Sequence, residues 1–599
     1  MDLIKEYFDM PIQTMSFESI EPIGRVMSVD TIRVFVHIDD HEMLKKVMVG
    51  NLIAVQGATG HQYLISLVER ITRLPADIIA GEKPEEDDTL PIADQLQDTV
   101  RAVLVGTYRI KDGDSGPSFK RGADSCPQID QPCYLINGQN LTAFMGVLSQ
   151  DVSEENALRL GCFAIDPTAD AVADGDRFFQ RHAAILGSTG SGKSFTVASI
   201  LEKAQNLKHS NLVLFDMHGE YRSLAKEQKN GYAQYIKIAG PGDLAKPSAN
   251  ILFLPYWLLN RDEMLSMILD RSDDNAPNQA MRFTAVVLEK KREYLQNEKQ
   301  TEVLATFTVD SPIPYDISKM VAELTADDQA MEPGAKAGTE RKAPWNGKLT
   351  RFISRLEAKI ADRRYGFLFQ APKETMSYDW LQKQAITLLC AKSETNSGIK
   401  VIDFSEVPSD VLPTVVSVLA RFMYDVQFWM KPEMRTPICL VCDEAHLYLP
   451  VRSEADAASK RALETFERIA KEGRKYGFSL LVVSQRPSDV SKTILSQCNN
   501  FIALRLTNEQ DQSAVRSVMP DSMAGIADVL PLLDIGEAII LGDSVLLPSR
   551  IKLDKPKVEP LSLTKRFWHE WEVIKSDPES IKAAVENLRR QSRMTDSKI

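Results

Sequence analysis

Gly187-Ser188-Thr189-Gly190-Ser191-Gly192-Lys193-Ser194 satisfies the phosphate-binding P-loop pattern in full and directly follows an apolar run, Ala183-Ala184-Ile185-Leu186, that reads as a strand. Glycines at this spacing let the backbone wrap closely around phosphates. The helix expected next, Phe195 to Ala204, presents its positive N-terminus to them. Lys193 is the group that reaches the β- and γ-phosphates, the Ser194 hydroxyl is a magnesium ligand, and Phe195 is counted with the nucleotide-binding residues. ATP and Mg2+ are therefore the expected cofactors. The superficially similar Gly57-Ala58-Thr59-Gly60 lacks both the lysine and the hydroxyl, and reads as a turn.

A P-loop needs a carboxylate from a second strand to hold the magnesium shell, and Ile438-Cys439-Leu440-Val441-Cys442-Asp443-Glu444 supplies an apolar strand ending in two acids. Asp443 is the candidate metal ligand, and Glu444 is the candidate group that polarises the attacking water. Further strands are expected at 212–215, 400–404 and 479–483; strands alternating with helical segments point to a parallel α/β sheet. The run at 479–483 ends in Ser484-Gln485-Arg486-Pro487-Ser488, where Gln485 either senses the γ-phosphate or simply sits in a turn before Pro487. The 212–215 strand runs into Asp216-Met217-His218-Gly219-Glu220-Tyr221. Ligands gather at the C-terminal edges of such strands, so Glu220 and His218 are candidate site members, the alternative being hydrogen bonds that stabilise the loop.

A helix from Asp456 to Arg474 places Ala458, Ala462, Phe466, Ile469 and Gly473 on one face. Its end, Ala470-Lys471-Glu472-Gly473-Arg474-Lys475-Tyr476-Gly477, is either ordinary cationic helix capping or the carrier of an arginine, Arg474, that acts on a neighbouring subunit's γ-phosphate.

Before the P-loop the texture is different. Ile32, Val34, Val36 and Ile38 alternate with polar residues, and short apolar runs near 51–55, 63–68 and 100–105 follow, as in a small barrel or sandwich. Gly81 to Asp88 and Lys111 to Pro132 read as loops. From about 255 to 395 the pattern is helical, with a polar piece at 326–348, and the chain closes in charged helices, the last opened by Ser576-Asp577-Pro578-Glu579.

With 599 residues, 44% hydrophobic and 26% charged, the chain is long enough for two to four folding units and excludes pervasive disorder. The opening Met1-Asp2-Leu3-Ile4-Lys5-Glu6 lacks a signal-like pattern, and no run reaches the roughly 18 apolar residues of a membrane span, so a cytoplasmic protein without a membrane association is expected. Seven scattered cysteines imply reduced thiols. Cys439 and Cys442 lie in the buried-strand pattern and not in a zinc or redox site. The net charge of -12 does not exclude a polyanionic partner, because a channel can concentrate a few Lys and Arg.

Taken together, Arg181-His182 ahead of the P-loop, Phe215 to Tyr221, Leu356-Glu357-Ala358-Lys359-Ile360, Asp443-Glu444-Ala445-His446, Ala470 to Gly477, Ser484 to Ser488 and Gly536-Glu537-Ala538 resemble the HerA family of the HerA/FtsK superfamily. The resemblance spans about residues 181 to 550. It implies an α/β, RecA-like P-loop ATPase core (156–560) carrying an inserted helical region (about 255–395), an N-terminal small β-barrel (1–155) and a C-terminal helical tail (561–599). It also implies a homo-hexameric ring with double-stranded DNA in its channel and ATP bound between subunits. In that setting Arg474 becomes the trans-acting finger, Gln485 the γ-phosphate sensor, and Arg181 a second contact near the interface. A partner, either a NurA-like nuclease or a sirtuin-like NAD-consuming effector, would dock on the barrel in DNA end processing or antiviral defence. Two other classes share these residues: a secretion or conjugation motor, which would need membrane-recruiting segments, and a non-translocating ATP switch that licenses an effector. A small-molecule kinase has little use for a trans arginine or an inserted domain.

Overall fold

The computed structural model describes residues 14–591 apart from 31, 58–60, 76–95, 111–115, 124, 151, 246, 334–338, 454, 456, 520, 563–566 and 574–576; the acidic segment 81–88 lies outside the described residues. The chain divides into two compact units. The first takes residues up to 200 with 484–488 and 495–556; the second takes 201–483, 489–494 and the residues from 557.

The strands, in chain order, begin with β1 (Gly24–Val29), β2 (Arg33–Ile38), β3 (Leu52–Gln56), β4 (Gln62–Pro75), β5 (Leu96–Arg109), β6 (Ser118–Arg121) and β7 (Pro132–Leu135). They follow the order β2-β1-β7-β3-β4-β5-β6, and an added β2–β5 pairing closes six of them into a barrel. The period-two pattern is the cause: Val34, Val36 and Ile38 point into a core with Val26, Ile53, Val55, Leu64, Val68, Val100 and Ala102. Two register shifts between β4 and β5, at Ile65/Ser66 and Val68/Arg70, bend the long hairpin as closure requires. Ile32, expected inside, is 38% exposed and precedes β2. The stretch 111–132, expected as a loop, contains β6. Its Phe119 is buried edge-on against Phe144 at 5.2 Å, a single apolar anchor too sparse to register in the surrounding polar pattern.

Next come β8 (Ala157–Phe163), β9 (Asp170–Asp174), β10 (Ala183–Leu186), β11 (Leu212–Asp216), β12 (Gln234–Ile238), β13 (Ile251–Leu252), β14 (Met331–Pro333), β15 (Glu340–Lys342), β16 (Ile399–Asp403), β17 (Ile438–Cys442), β18 (Phe478–Ser484), β19 (Asn500–Leu504), β20 (Glu537–Gly542) and β21 (Ser549–Leu553). In the first unit β10 pairs in parallel with β19, and β20, β21, β8 and β9 continue the sheet antiparallel. In the second unit the order is β13-β12-β16-β11-β17-β18, parallel throughout. Every residue of β11, β16, β17 and β18 is buried, as a sheet covered on both faces demands. All five strands expected from the P-loop onward are present.

Between β13 and β16 the second unit is helical, with long helices at Ala276–Asn297, Ile317–Gln329 and Thr350–Ala361. The polar piece at 326–348 contributes the β14–β15 hairpin. Arg282 ties the first two helices together through Glu323 at 2.8 Å and Asp327 at 2.5 Å. Lys291 is buried inside this bundle, its ammonium donating to the carbonyls of Val309 (2.7 Å) and Ser311 (2.6 Å).

Burial pushes the Lys291 pKa down to about 8 from 10.5. The folded value lies below the unfolded one, so folding expels a proton between those limits, and the contribution of Lys291 to stability rises with pH across that window, by up to about 3 kcal/mol. Denaturant unfolding between about pH 8 and 9.5 should therefore show a steeper rise in stability for the native chain than for Lys291→Met. Equal slopes would show that the buried ammonium does not titrate.

At the C-terminal end Asp577 caps the helix Pro578–Arg590, accepting from the N–H groups of Glu579 and Ser580. Among the described residues no helix is long and apolar enough to cross a membrane.

Candidate nucleotide-binding and hydrolysis site

In the first unit the fully buried β10 delivers the chain into the loop, and the helix Lys193–Ala204 begins at its last lysine. Gly192 has φ 107°, which an L side chain rarely adopts. A Cβ on Gly187 would lie 2.8 Å from the Leu504 Cβ and 2.6 Å from the Ser191 Oγ, so the loop packs against β19 only because no side chain is there. The loop is tied down on three sides. Gly187 N–H donates to the Ser484 carbonyl (3.3 Å), Ser188 N–H to the Arg505 carbonyl (2.8 Å), and Gly536 N–H to the Ser191 carbonyl (3.2 Å). The buried Lys193 ammonium donates to the Ser188 carbonyl at 3.2 Å.

Gln485, from the chain leaving β18, accepts from the Thr189 hydroxyl at 2.5 Å. Two of the sequence candidates, 296 positions apart, thus share one hydrogen bond on the loop. Ser194 and Phe195 are half-buried in the first turn of the helix. Arg181 lies elsewhere in this unit, forming an ion pair with Asp543 beside the Asn499 amide.

The loop suits a polyphosphate: a helix N-terminus, a buried ammonium, and a Ser191 hydroxyl that is buried without a hydrogen-bond partner. Sequence reasoning missed β19 with Arg505 as a support of this loop, and it singled out Gly536 only within the resemblance, without the role that its N–H plays. The apolar run Phe501-Ile502-Ala503-Leu504 was the available signal for β19.

In the second unit the strand ends carry the acids. Asp443 follows β17 and is buried; burial, then the neighbouring Glu444, Asp216 and Glu220, hold its carboxyl well above the usual carboxylate range. Glu444 sits at φ 45°, ψ 46°, a left-handed conformation unusual outside glycine, with Oε2 3.3 Å from His446 Nδ1. Asp216 organises its whole loop. Its carboxylate accepts the N–H groups of Gly219 (2.8 Å), Tyr221 (2.9 Å), Glu220 (3.1 Å) and His218 (3.3 Å), while burial pushes its pKa up to about 7. The sequence pointed to Glu220 and His218, yet the residue that shapes the motif is this aspartate, hidden as the last residue of a strand.

The mutual repulsion that lifts Asp443 is of the kind a hard dication removes, and carboxylate and hydroxyl oxygens are the donors magnesium takes. Among the described residues no group of three or more His, Cys, Asp or Glu is assembled as a metal cage. Magnesium in phosphate-transfer sites draws most of its ligands from phosphates and water, so it does not need such a cage.

Arg474 lies in a turn after the helix Ala457–Glu472, exposed and without an ion pair among the described residues. Gly477 at φ 68° ends that turn, its N–H donating to the Arg474 carbonyl. Cys439 and Cys442 are buried on β17, and burial pushes the Cys439 thiol up to about 12, which removes it from redox chemistry near neutral pH.

Two family models match the chain: the central domain of helicase HerA over residues 158–423 and the HerA-like helicase C-terminal region over 318–546. A probable helicase of Methanocaldococcus jannaschii is 27% identical over 469 residues, covering 77% of this chain and 78% of that protein. The DNA double-strand break repair helicase HerA of Saccharolobus solfataricus is 26% identical over 405 residues, 66% of this chain and 68% of the relative. Among solved structures, VirB4 of Thermoanaerobacter pseudethanolicus aligns over 67% of this chain and 98% of its own with a TM-score of 0.44 and 17% identity.

Proposed function

Because the chain belongs to the HerA family of P-loop ATPases, matched by that family's two models from 158 to 546, we propose that it is an ATP-driven translocase of double-stranded DNA that works as a hexameric ring. The observation that carries this reading is the complete P-loop bonded to Gln485 through Thr189. Relatives named as DNA double-strand break repair helicases support the choice of polymer.

In this reading Lys193 and the backbone N–H groups of the loop bind the phosphates, and Ser194 with Asp443 hold magnesium, which neutralises charge on the transferring phosphoryl group. Glu444 orients the attacking water and takes up its proton. Gln485 reports the γ-phosphate, and Arg474 reaches the nucleotide of the adjacent subunit. A nuclease or an NAD-consuming effector docks on the barrel, in DNA end processing or antiviral defence.

The test is steady-state ATP turnover of the purified protein, sized by light scattering, with and without linear double-stranded DNA. Strong stimulation of a hexamer supports translocation. Turnover indifferent to DNA would replace this reading with a switch that licenses an effector.

Arg474→Ala should leave nucleotide binding intact and slow turnover roughly a hundredfold, the usual loss when one transition-state donor is removed. Mixed rings with subunits that carry Arg474 but lack a working P-loop should recover part of the rate. An absence of recovery would reduce Arg474 to a helix cap.

A further inference from the structure

β19 runs parallel to the P-loop strand, with Leu186 opposite Ala503, so continuing the register by two places sets Arg505 beside Ser188. The backbone bond from Ser188 N–H to the Arg505 carbonyl, 2.8 Å, shows that the strands keep this register into the loop, and the Thr507 N–H lies 3.4 Å from the Ser188 hydroxyl. Arg505 is half-buried, and its Nε is wholly removed from solvent without a hydrogen-bond partner; no carboxylate among the described residues pairs with its guanidinium. A guanidinium is permanently charged, and sequestering one of its donors without an acceptor is costly. The second buried orphan of this region is the Ser191 hydroxyl, inside the P-loop itself. Every other tie around the loop is a backbone bond or is satisfied.

We infer that Arg505 is a nucleotide-binding residue that contacts the phosphate chain of the ATP held by its own subunit. The chemistry follows from what surrounds it. An arginine side chain extends roughly 6–7 Å from its Cα, and its planar fork matches phosphate oxygens. Ser188 begins the loop that wraps the phosphates, so an acceptor seated there lies within this reach. Phosphate oxygens are charged acceptors that match the whole guanidinium fork, whereas an adenine ring offers it only single neutral ring nitrogens. Arg505 is distinct from Arg474 in serving its own subunit's nucleotide, so its contribution does not need ring assembly. The inference rests on the P-loop being the nucleotide site.

The experiment uses the full chain and its Arg505→Gln, Arg505→Lys and Lys193→Ala variants, with N-methylanthraniloyl-labelled ATP, ADP and adenosine titrated by fluorescence anisotropy and melting temperatures recorded without nucleotide. Arg505→Gln should weaken ATP roughly ten- to hundredfold, the scale of a hydrogen bond to a charged group. Arg505→Lys should retain most of the affinity, the adenosine probe should be unaffected, and the nucleotide-free melting temperature should stay level or rise. A loss seen with ATP but not ADP assigns the contact to the γ-phosphate; a loss with both assigns it to the inner phosphates. Affinity within twofold of the native chain in Arg505→Gln, an equal loss for adenosine, or a lowered melting temperature in both variants would overturn the inference. If Lys193→Ala also binds ATP normally, it is the site assignment that fails. Loss in Lys193→Ala with none in Arg505→Gln refutes the role of Arg505 alone.

Discussion

Lys193→Ala is expected to lower ATP turnover by on the order of a thousandfold, with most of the loss appearing as failed nucleotide binding. The lysine ammonium is buried and bonded across the loop to the Ser188 carbonyl, so it is already gathered at the loop before substrate arrives. Removing it takes the ammonium out of the loop itself, so that within the loop only backbone dipoles face a tetra-anion. The fold should survive, because alanine is a strong helix former at the start of a helix and the glycine-shaped loop keeps its three backbone ties. Phosphate release and fluorescent-ATP binding, measured beside thermal unfolding, decide it. A variant that melts like the native chain and still turns over normally would sink the assignment of the loop as the catalytic site.

Glu444→Gln should behave in the opposite way, keeping ATP bound while turnover falls by roughly a hundred- to ten-thousandfold. The substitution preserves shape and removes only the capacity to accept a proton. It should also keep the left-handed backbone at φ 45°, whose cost a glutamine bears as a glutamate does. Gel filtration after brief incubation with labelled ATP would then recover protein carrying uncleaved triphosphate. If the variant loses nucleotide as Lys193→Ala does, Glu444 serves binding; if turnover stays within tenfold of native, another group activates the water.

The two variants also separate what was legible in the residues from what was not. Lys193, Ser194 and the loop glycines could be assigned from eight contiguous positions, because the chemistry of a P-loop lies in local backbone conformation and in the helix that follows it. Asp443 and Glu444 were legible for a similar reason: a strand buried on both faces can tolerate acids only at its end. The barrel was visible in alternation, but β6, paired to β5 outside the closed ring, was not, since one buried phenylalanine carries it. Arg181 was assigned to a subunit interface by resemblance, and within the chain its guanidinium is engaged by Asp543, 362 residues away, a pairing no local pattern announces.

By itself the sequence determined that this is an α/β P-loop ATPase with a barrel ahead of it, and it nominated the residues proposed to face phosphate, metal and water, because periodicity and a short motif encode those features within single turns and strands. Tertiary structure alone decided how they are supported. Thr189 meets Gln485, and Arg505 stands beside Ser188 with a buried donor. Each depends on which strands lie side by side, and parallel strands are joined by crossovers of arbitrary length, so residues hundreds of positions apart become neighbours without leaving a local mark.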